Sequence, residues 1–510
     1  MKKNKKIIFI YILVILSIFL LALRKYILTN FKSVSFEQLL YSTINTEGAS
    51  VSSITEGVIY VLFWIIIGLL LFTLYIKINS KFKDNNKYLN IINKKIKILP
   101  ISNNIIFYIF IFIFCLIYFF EGIGCFGYIK NRLEESSFYK ENYVNPNDVK
   151  ITFPNKKRNL IYIYLESMEN SALSKDNGGT VEKSYISKLE NLALNNLNFS
   201  HTDKIGGAYQ VNNSEWTIAA MISHTSGTTL NTYNITGNHN GNYTKFLPGV
   251  TSIGDILSKE GYINYLMLGS DSVYGGRKKY FKQHGFYNIF DYNTAIEKQK
   301  IKDYYVWWGY EDKKLFEYAK EELLKLSDGE QPFNFTMLTV DTHFMDGYLD
   351  ESCDTPFDSR YANVFNCSSN MVYDFVSWIK EQDFYENTTI VLVGDHLTMQ
   401  SDIFELEDDY QRTIFNTFIN SSIDTKYNKN RDFSTLDLFP TTLASLGVEI
   451  EGDRLGLGTN LFSGKETLIE KYGLDYVNKE VLKNSSYYNN KLLGDSYYEL
   501  LEKNKESKED

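Results

Sequence analysis

The pattern of apolar and polar positions splits the chain into two unlike parts. In the first quarter, three uncharged apolar runs (7–23, 58–76 and 105–120) approach the length a helix needs to cross a bilayer, and flanking residues supply the remainder. From about residue 155 the apolar runs are shorter and alternate with helix-like stretches. Runs at 160–165, 262–269, 333–340 and 388–394 are rich in β-branched or aromatic residues and read as strands buried on both faces. Helix-like stretches at 184–194, 313–326, 371–381 and 437–447 fall between and after them. Strands alternating with helices predict an α/β fold with a mostly parallel, doubly wound sheet.

Each predicted strand runs into polar residues. The first ends in Glu166-Ser167, the second in Ser270-Asp271, the third in Asp341-Thr342-His343 and the fourth in Asp395-His396. Ligands and metals sit at the carboxyl ends of strands in an open α/β sheet. Two such strands delivering Glu166 and Asp395-His396 therefore predict a site. Between them, Asn212–Ile222 places polar capping residues before good helix formers, so Thr217 falls in or near a first helical turn. A threonine there is either a helix cap or a nucleophile whose negative charge the helix terminus stabilises. Arg277, in Gly275-Gly276-Arg277-Lys278-Lys279, offers a fork for an anion or begins a solvated helix. His284 reads as a structural histidine at a helix end, and His201, His224 and His239 as surface or structural.

Composition adds a membrane and removes nucleic acid. The 510 residues carry a formal charge of −8, which argues against a nucleic-acid partner, and hold only seven prolines with 15% aromatics, as a well-packed protein does. Positive charge gathers at the basic tail Lys2–Lys6 and between the second and third apolar runs, where Lys77, Lys81, Lys83, Lys87, Lys94, Lys95 and Lys97 face only Asp84. Lysine-rich flanks stay cytoplasmic, so three spans starting inside place everything after about Gly124 outside the cell. Arg24-Lys25-Tyr26 after the first run provides no cleavage site, so that run is expected to be a retained anchor. The expected divisions are a membrane domain over 1–130 and a juxtamembrane linker over 131–154. A catalytic domain over 155–465 and a helical appendage over 466–510 with a frayed end complete them. Cys353 and Cys367 lie in a loop-like segment (351–370), where a disulfide and two free thiols both fit.

Glu166-Ser167, Trp216-Thr217-Ile218-Ala219, Asp341-Thr342-His343 and Gly394-Asp395-His396, in that order and in those contexts, resemble the phosphoglycerol transferases of the sulfatase/alkaline-phosphatase-like superfamily. These are the lipoteichoic acid synthases and the transferases that decorate periplasmic glucans. The likeness extends over roughly 159–464 and includes Asp453–Gly458. The stretch Val34–Leu40 between the first spans looks like the glucan-decorating branch.

The resemblance implies a sulfatase-like domain outside the membrane and one divalent cation held by Glu166, Thr217, Asp395 and His396. Manganese is the usual ion; three oxygens and one imidazole also accept magnesium or zinc. It implies Thr217 as nucleophile, Arg277, His343 and Trp216 as substrate-binding residues, and His343 as an aid to proton transfer. Phosphatidylglycerol is the implied donor, and a cell-envelope glycan or a teichoic acid the implied acceptor. Phe344-Met345 after His343 departs from the glucan branch, so the pocket there is expected to differ. A true sulfatase needs Cys or Ser in a C/S-x-P-x-R setting, which the nucleophile segment lacks. A second metal, as in an alkaline phosphatase, has no assignable ligands. Phosphoethanolamine transferases share the quartet and are the enzymatic alternative; a non-catalytic wall-polymer binding protein is the alternative from another class.

Overall fold

The computed structural model describes residues 3–31, 34–44, 51–83, 89–91, 94–96, 105–231 and 245–494. The chain divides into two compact units, Met1–Phe36 with Ser50–Lys130, and Glu37–Ala49 with Asn131–Asp510.

The first unit contains helices α1 (Lys3–Asn30), α3 (Val51–Lys83) and α4 (Ile105–Gly122). Three stretches, Lys5–Asn30, Thr55–Lys77 and Ile105–Gly122, are long and apolar enough to cross a membrane. Ile10, Leu13 and Tyr108 pack together, as do Leu20, Cys115 and Phe119. Ile59, Leu70, Phe110 and Phe114 are exposed, which in water would be a liability and in hydrocarbon is not. Part of the basic stretch 77–97 lies outside the described residues. The short helix α2 (Phe36–Ile44) lies between α1 and α3 in the chain, and from Glu37 onward it belongs to the second unit.

The second unit is built on a six-stranded sheet. Its strands are β1 (Asn159–Leu165), β2 (Ile263–Leu268), β3 (Asn288–Phe290), β4 (Phe333–Leu338), β5 (Thr388–Gly394) and β6 (Asn416–Ile419). The spatial order is β3-β2-β4-β1-β5-β6, with β6 antiparallel to β5 and every other pair parallel. The two strands expected to carry metal ligands, β1 and β5, are therefore central neighbours. Successive side chains of β1 enter opposite cores: Leu160, Tyr162 and Tyr164 one, Ile161, Ile163 and Leu165 the other. Helices α5 (Thr217–Ser226), α6 (Arg277–Gln283) and α9 (Leu438–Ser445) contribute to the first core, and α7 (Asp312–Ser327) and α8 (Arg360–Lys380) to the second.

Three sequence expectations meet a different structure. The loop expected over 351–370 gives way at Arg360 to helix α8, because the Ser359 side chain caps the Ala362 amide and Tyr361, Val364, Phe365, Val372 and Phe375 recur at helical spacing into the core. Cys367, on that helix, forms a disulfide with Cys353. Segment 131–154 packs within the second unit: Tyr139 is fully buried, and Ile151–Thr152 pairs with Glu449–Ile450. Its many polar residues hid the aromatic side chains that bury it. Beyond 466, Val477, Val481 and Tyr488 are buried in the same core, while the end expected to fray, from Lys503, lies outside the described residues.

Candidate active site

Register brings the first two ligand-type segments together. Leu165 pairs with Gly394, so the residues that follow, Glu166 and Asp395, leave the sheet side by side. Gly394 is required there: a β-carbon would stand 1.9 Å from the Met168 carbonyl oxygen. The turn after β1 is strained, with Ser167 at φ 55°, and it holds because Ser167 donates twice, from its amide to Asp395 Oδ1 (2.8 Å) and from its hydroxyl to Glu166 Oε1 (2.9 Å). Strand β4 ends level with them, and Thr339 Oγ1 accepts the Glu166 amide at 3.0 Å.

The resulting cluster is buried, with Glu166, Asp395 and His396 each at most 3% exposed. His396 Nε2 lies 3.5 Å from Glu166 Oε1 and 3.4 Å from Asp395 Oδ2. Its Nδ1 donates to the Leu397 carbonyl at 3.1 Å, which leaves Nε2 directed at the two carboxylates. Thr217, the first residue of α5, places Oγ1 3.5 Å from Glu166 Oε2. The structure thus brings Glu166, Thr217, Asp395 and His396 together.

The electrostatics of this cluster call for positive charge. Burial, and then the Glu166 charge, push Asp395 up to about 7. Burial opposes charge on His396, yet Asp395 and Glu166 hold it above the ordinary histidine value. Asp395 Oδ2 is buried without a hydrogen-bond partner. Two carboxylates, one of them with the orphaned oxygen, and an imidazole nitrogen fit one divalent cation, and the three residues form a possible metal site.

Arg277 and His343 stand beside it. Arg277 is buried at the start of α6; Nε donates to Tyr274 O (3.0 Å) and Nη2 to Asp271 O (2.7 Å), leaving Nη1 without a partner among the described residues. His343 Nδ1 donates to Phe344 O at 2.6 Å, so Nε2 carries the lone pair. Burial is the main reason His343 is pushed down to about 4, and His396 and Arg277 add to it. Trp216 caps α5 and is buried, with Nε1 unpaired among the described residues.

Sequence reasoning missed the aromatic wall joining Arg277 to His343. Arg277 lies over Tyr274, Tyr274 meets Trp308 at 5.5 Å, and Trp308 meets His343 at 4.7 Å. A paired Trp307-Trp308 ahead of Gly309 was the available signal. Also missed was Asp312, which accepts the Val340 and Asp341 amides and so fixes the segment leading to His343, while Asp341 accepts the Asp312 amide in return. His284 is structural, bonded to Asp255 and the Phe246 carbonyl, and His224 is fully buried beside Tyr162 and Tyr164. His239 lies outside the described residues.

The sulfatase family model matches residues 158–448, which holds β1 through β6 and all four residues of the cluster. The chain belongs to the sulfatase family. Among individual proteins, it is 30% identical over 323 residues to phosphoglycerol transferase I of Salmonella choleraesuis and 29% identical over 314 residues to that of Xanthomonas campestris. These matches cover 62% and 60% of this chain but only 40% and 43% of the relatives, so the chain spans about two fifths of the length of the curated relatives it matches. Among solved structures, the lipoteichoic acid synthase LtaP of Listeria monocytogenes matches at TM-score 0.48 and 18% identity, over 64% of this chain and 80% of that one. The sulfatase-family domain of this chain is thus an α/β domain with a mostly parallel sheet, preceded by three membrane-capable helices.

Proposed function

We propose that the chain is a membrane-anchored phosphoglycerol transferase, moving glycerol phosphate from phosphatidylglycerol to a glycan or teichoic-acid acceptor outside the cell. The observation that carries this is the Thr217 hydroxyl, set at a helix N-terminus 3.5 Å from Glu166, which clusters with Asp395 and His396. Two relatives bearing the name phosphoglycerol transferase I support the choice of headgroup. The lysine-rich flanks of the apolar helices support placing this unit outside.

Glu166, Thr217, Asp395 and His396 would hold one divalent cation, manganese first, which when bound supplies positive charge beside the Thr217 hydroxyl and the phosphoryl oxygen. The Arg277 Nη1 nitrogen is available to a phosphate oxygen, and the Trp216 indole N–H to a headgroup hydroxyl. Thr217 Oγ1 bonds to phosphorus as the bond from phosphorus to the diacylglycerol oxygen breaks; the threonine proton leaves with diacylglycerol. Glycerol phosphate then stays on Thr217 as a diester, with the helix N-terminus stabilising its charge. An acceptor hydroxyl next bonds to phosphorus, the Thr217 ester breaks, and Thr217 regains a proton. His343, neutral and with Nε2 unprotonated, takes the acceptor proton in that second step, and the same proton is the one returned to Thr217.

Vesicles of headgroup-labelled phosphatidylglycerol, incubated with the full chain, manganese and cell-envelope fractions, test this. Diacylglycerol release and label in one fraction are expected. Release from phosphatidylethanolamine instead would assign the headgroup to ethanolamine, and release from neither lipid by metal-loaded protein would make the chain a binding protein.

A further inference from the structure

The stretch Val34–Leu40 runs into α2, between the first two membrane-capable helices in the chain. From Glu37 on it is part of the second unit. Residues four apart share a helix face, and Glu37 and Tyr41 are both buried, at 5% and 3% exposure. Glu37 pairs with Arg132 at 3.6 Å. The Tyr41 hydroxyl donates to the Gly275 carbonyl at 2.6 Å, and its ring lies 5.6 Å from that of Trp216. One face of α2 therefore touches both segments that flank the cluster, the one before Thr217 and the one before Arg277.

The contact at Gly275 falls on a joint. Gly275 and Gly276 have φ of 68° and 80°, a left-handed pair that side-chain-bearing residues rarely adopt, and Arg277 follows directly as the first residue of α6. Glycine leaves such a joint many conformations, so the direction of the Arg277 fork depends on what holds the two residues. Within the segment, Arg277 is tied back to the Tyr274 and Asp271 carbonyls. From outside, Tyr41 holds the Gly275 carbonyl. Burial pushes the Tyr41 hydroxyl far above its ordinary value, so it stays a neutral donor.

We infer that Tyr41 is a positioning residue of the anion site. By fixing the Gly275–Gly276 joint it aims Arg277 at the phosphate of the ligand, making helix α2 a support of the headgroup-binding machinery. The phosphodiester as ligand rests on the function proposed above; the aim of Arg277 does not, since any phosphate reads it. Tyr41 acts through Gly275 and Trp216 and touches no reacting atom.

Tyr41→Phe in the full chain, held in lipid nanodiscs, tests this, because the ring stays against Trp216 and only the hydroxyl is lost. Three quantities are read: amide hydrogen exchange of the 272–278 peptide, affinity for sn-glycerol 1-phosphate and for inorganic phosphate by calorimetry, and KM against kcat on phosphatidylglycerol. The expected result is faster exchange in that peptide and about five-fold weaker binding of both phosphates, the factor one ordinary hydrogen bond corresponds to. KM should rise by the same factor with kcat, manganese affinity and melting temperature unchanged. Exchange and phosphate affinity equal to wild type would overturn the inference. So would a loss of phosphate affinity that tracks a fall in melting temperature and metal binding, which marks Tyr41 as merely structural. If wild-type protein releases no diacylglycerol, the transferase function fails, and the effect of Tyr41→Phe on inorganic phosphate still decides the role of Tyr41.

Discussion

Thr217 Oγ1 stands 3.5 Å from Glu166 Oε2, longer than a well-made hydroxyl–carboxylate hydrogen bond, although 51 residues and two different elements separate them in the chain. Direct bonding does not explain their approach. The cation proposed above, taking an oxygen from each together with Asp395 and His396, would account for it.

Removing one ligand should therefore release the metal without unfolding the domain. His396→Ala is expected to weaken manganese binding at least about a hundred-fold, the upper range for loss of even an indirect supporting contact. Metal content by mass spectrometry and secondary structure by circular dichroism check this. Full metal occupancy in the variant would remove His396 from the site, and general unfolding on chelation would make the metal structural.

Arg277 is predicted to be irreplaceable by lysine. Its Nε and Nη2 are spent on the Tyr274 and Asp271 carbonyls respectively, so only the planar guanidinium can hold that geometry and still present Nη1. Arg277→Lys should raise KM for phosphatidylglycerol about ten-fold, the loss expected of a charge-assisted hydrogen bond. Steady-state kinetics on lipid vesicles measure it, and unchanged turnover at low substrate would contradict it.

Acid should destabilise the second unit partly through His224. Burial, then the nearby charge of His396, push His224 down to about 3, below the unfolded value near 6.5. A depressed histidine contributes stability that is fully present above about pH 6.5 and is lost as pH falls towards 3. Between pH 6.5 and 5 the loss is about 2 kcal/mol. His224→Phe, which keeps a ring against Tyr164, should show a shallower fall in melting temperature over that interval. Parallel pH profiles for the two proteins would contradict the assignment.

The parts of the site legible in the sequence are those fixed by local pattern. Apolar strands ending in Glu166 and in Asp395-His396 identify both themselves and the sheet edge they share, since a parallel α/β sheet collects the carboxyl ends of its strands. Thr217 was visible as the start of a helix. What local pattern cannot show is which distant segment covers a site. Tyr41 sits 175 residues before Trp216 in a short amphipathic stretch that looks like an ordinary loop between spans, and nothing local pairs it with Gly275. Trp308 and Asp312 were missed for the same reason. Helix α8 was read too short because its first turns carry Asn, Cys and Ser, residues of weak helix preference that tertiary burial overrides. The edge strands β3 and β6, three and four residues long, are too short for a period to register.

The central claim is that Thr217 carries the glycerol phosphate. Thr217→Ser should retain part of the activity, because the hydroxyl remains while the methyl that restricts its rotamer is gone, whereas Thr217→Ala should lose it. The direct measurement is intact-mass analysis of the full chain exposed to phosphatidylglycerol and manganese without acceptor, followed by peptide mapping. A glycerophosphoryl adduct on Thr217, with one diacylglycerol released per adduct, is the predicted result. Diacylglycerol release by Thr217→Ala at a rate near wild type, with no adduct on any peptide containing residue 217, would contradict it and leave Thr217 as a helix-terminal residue alone.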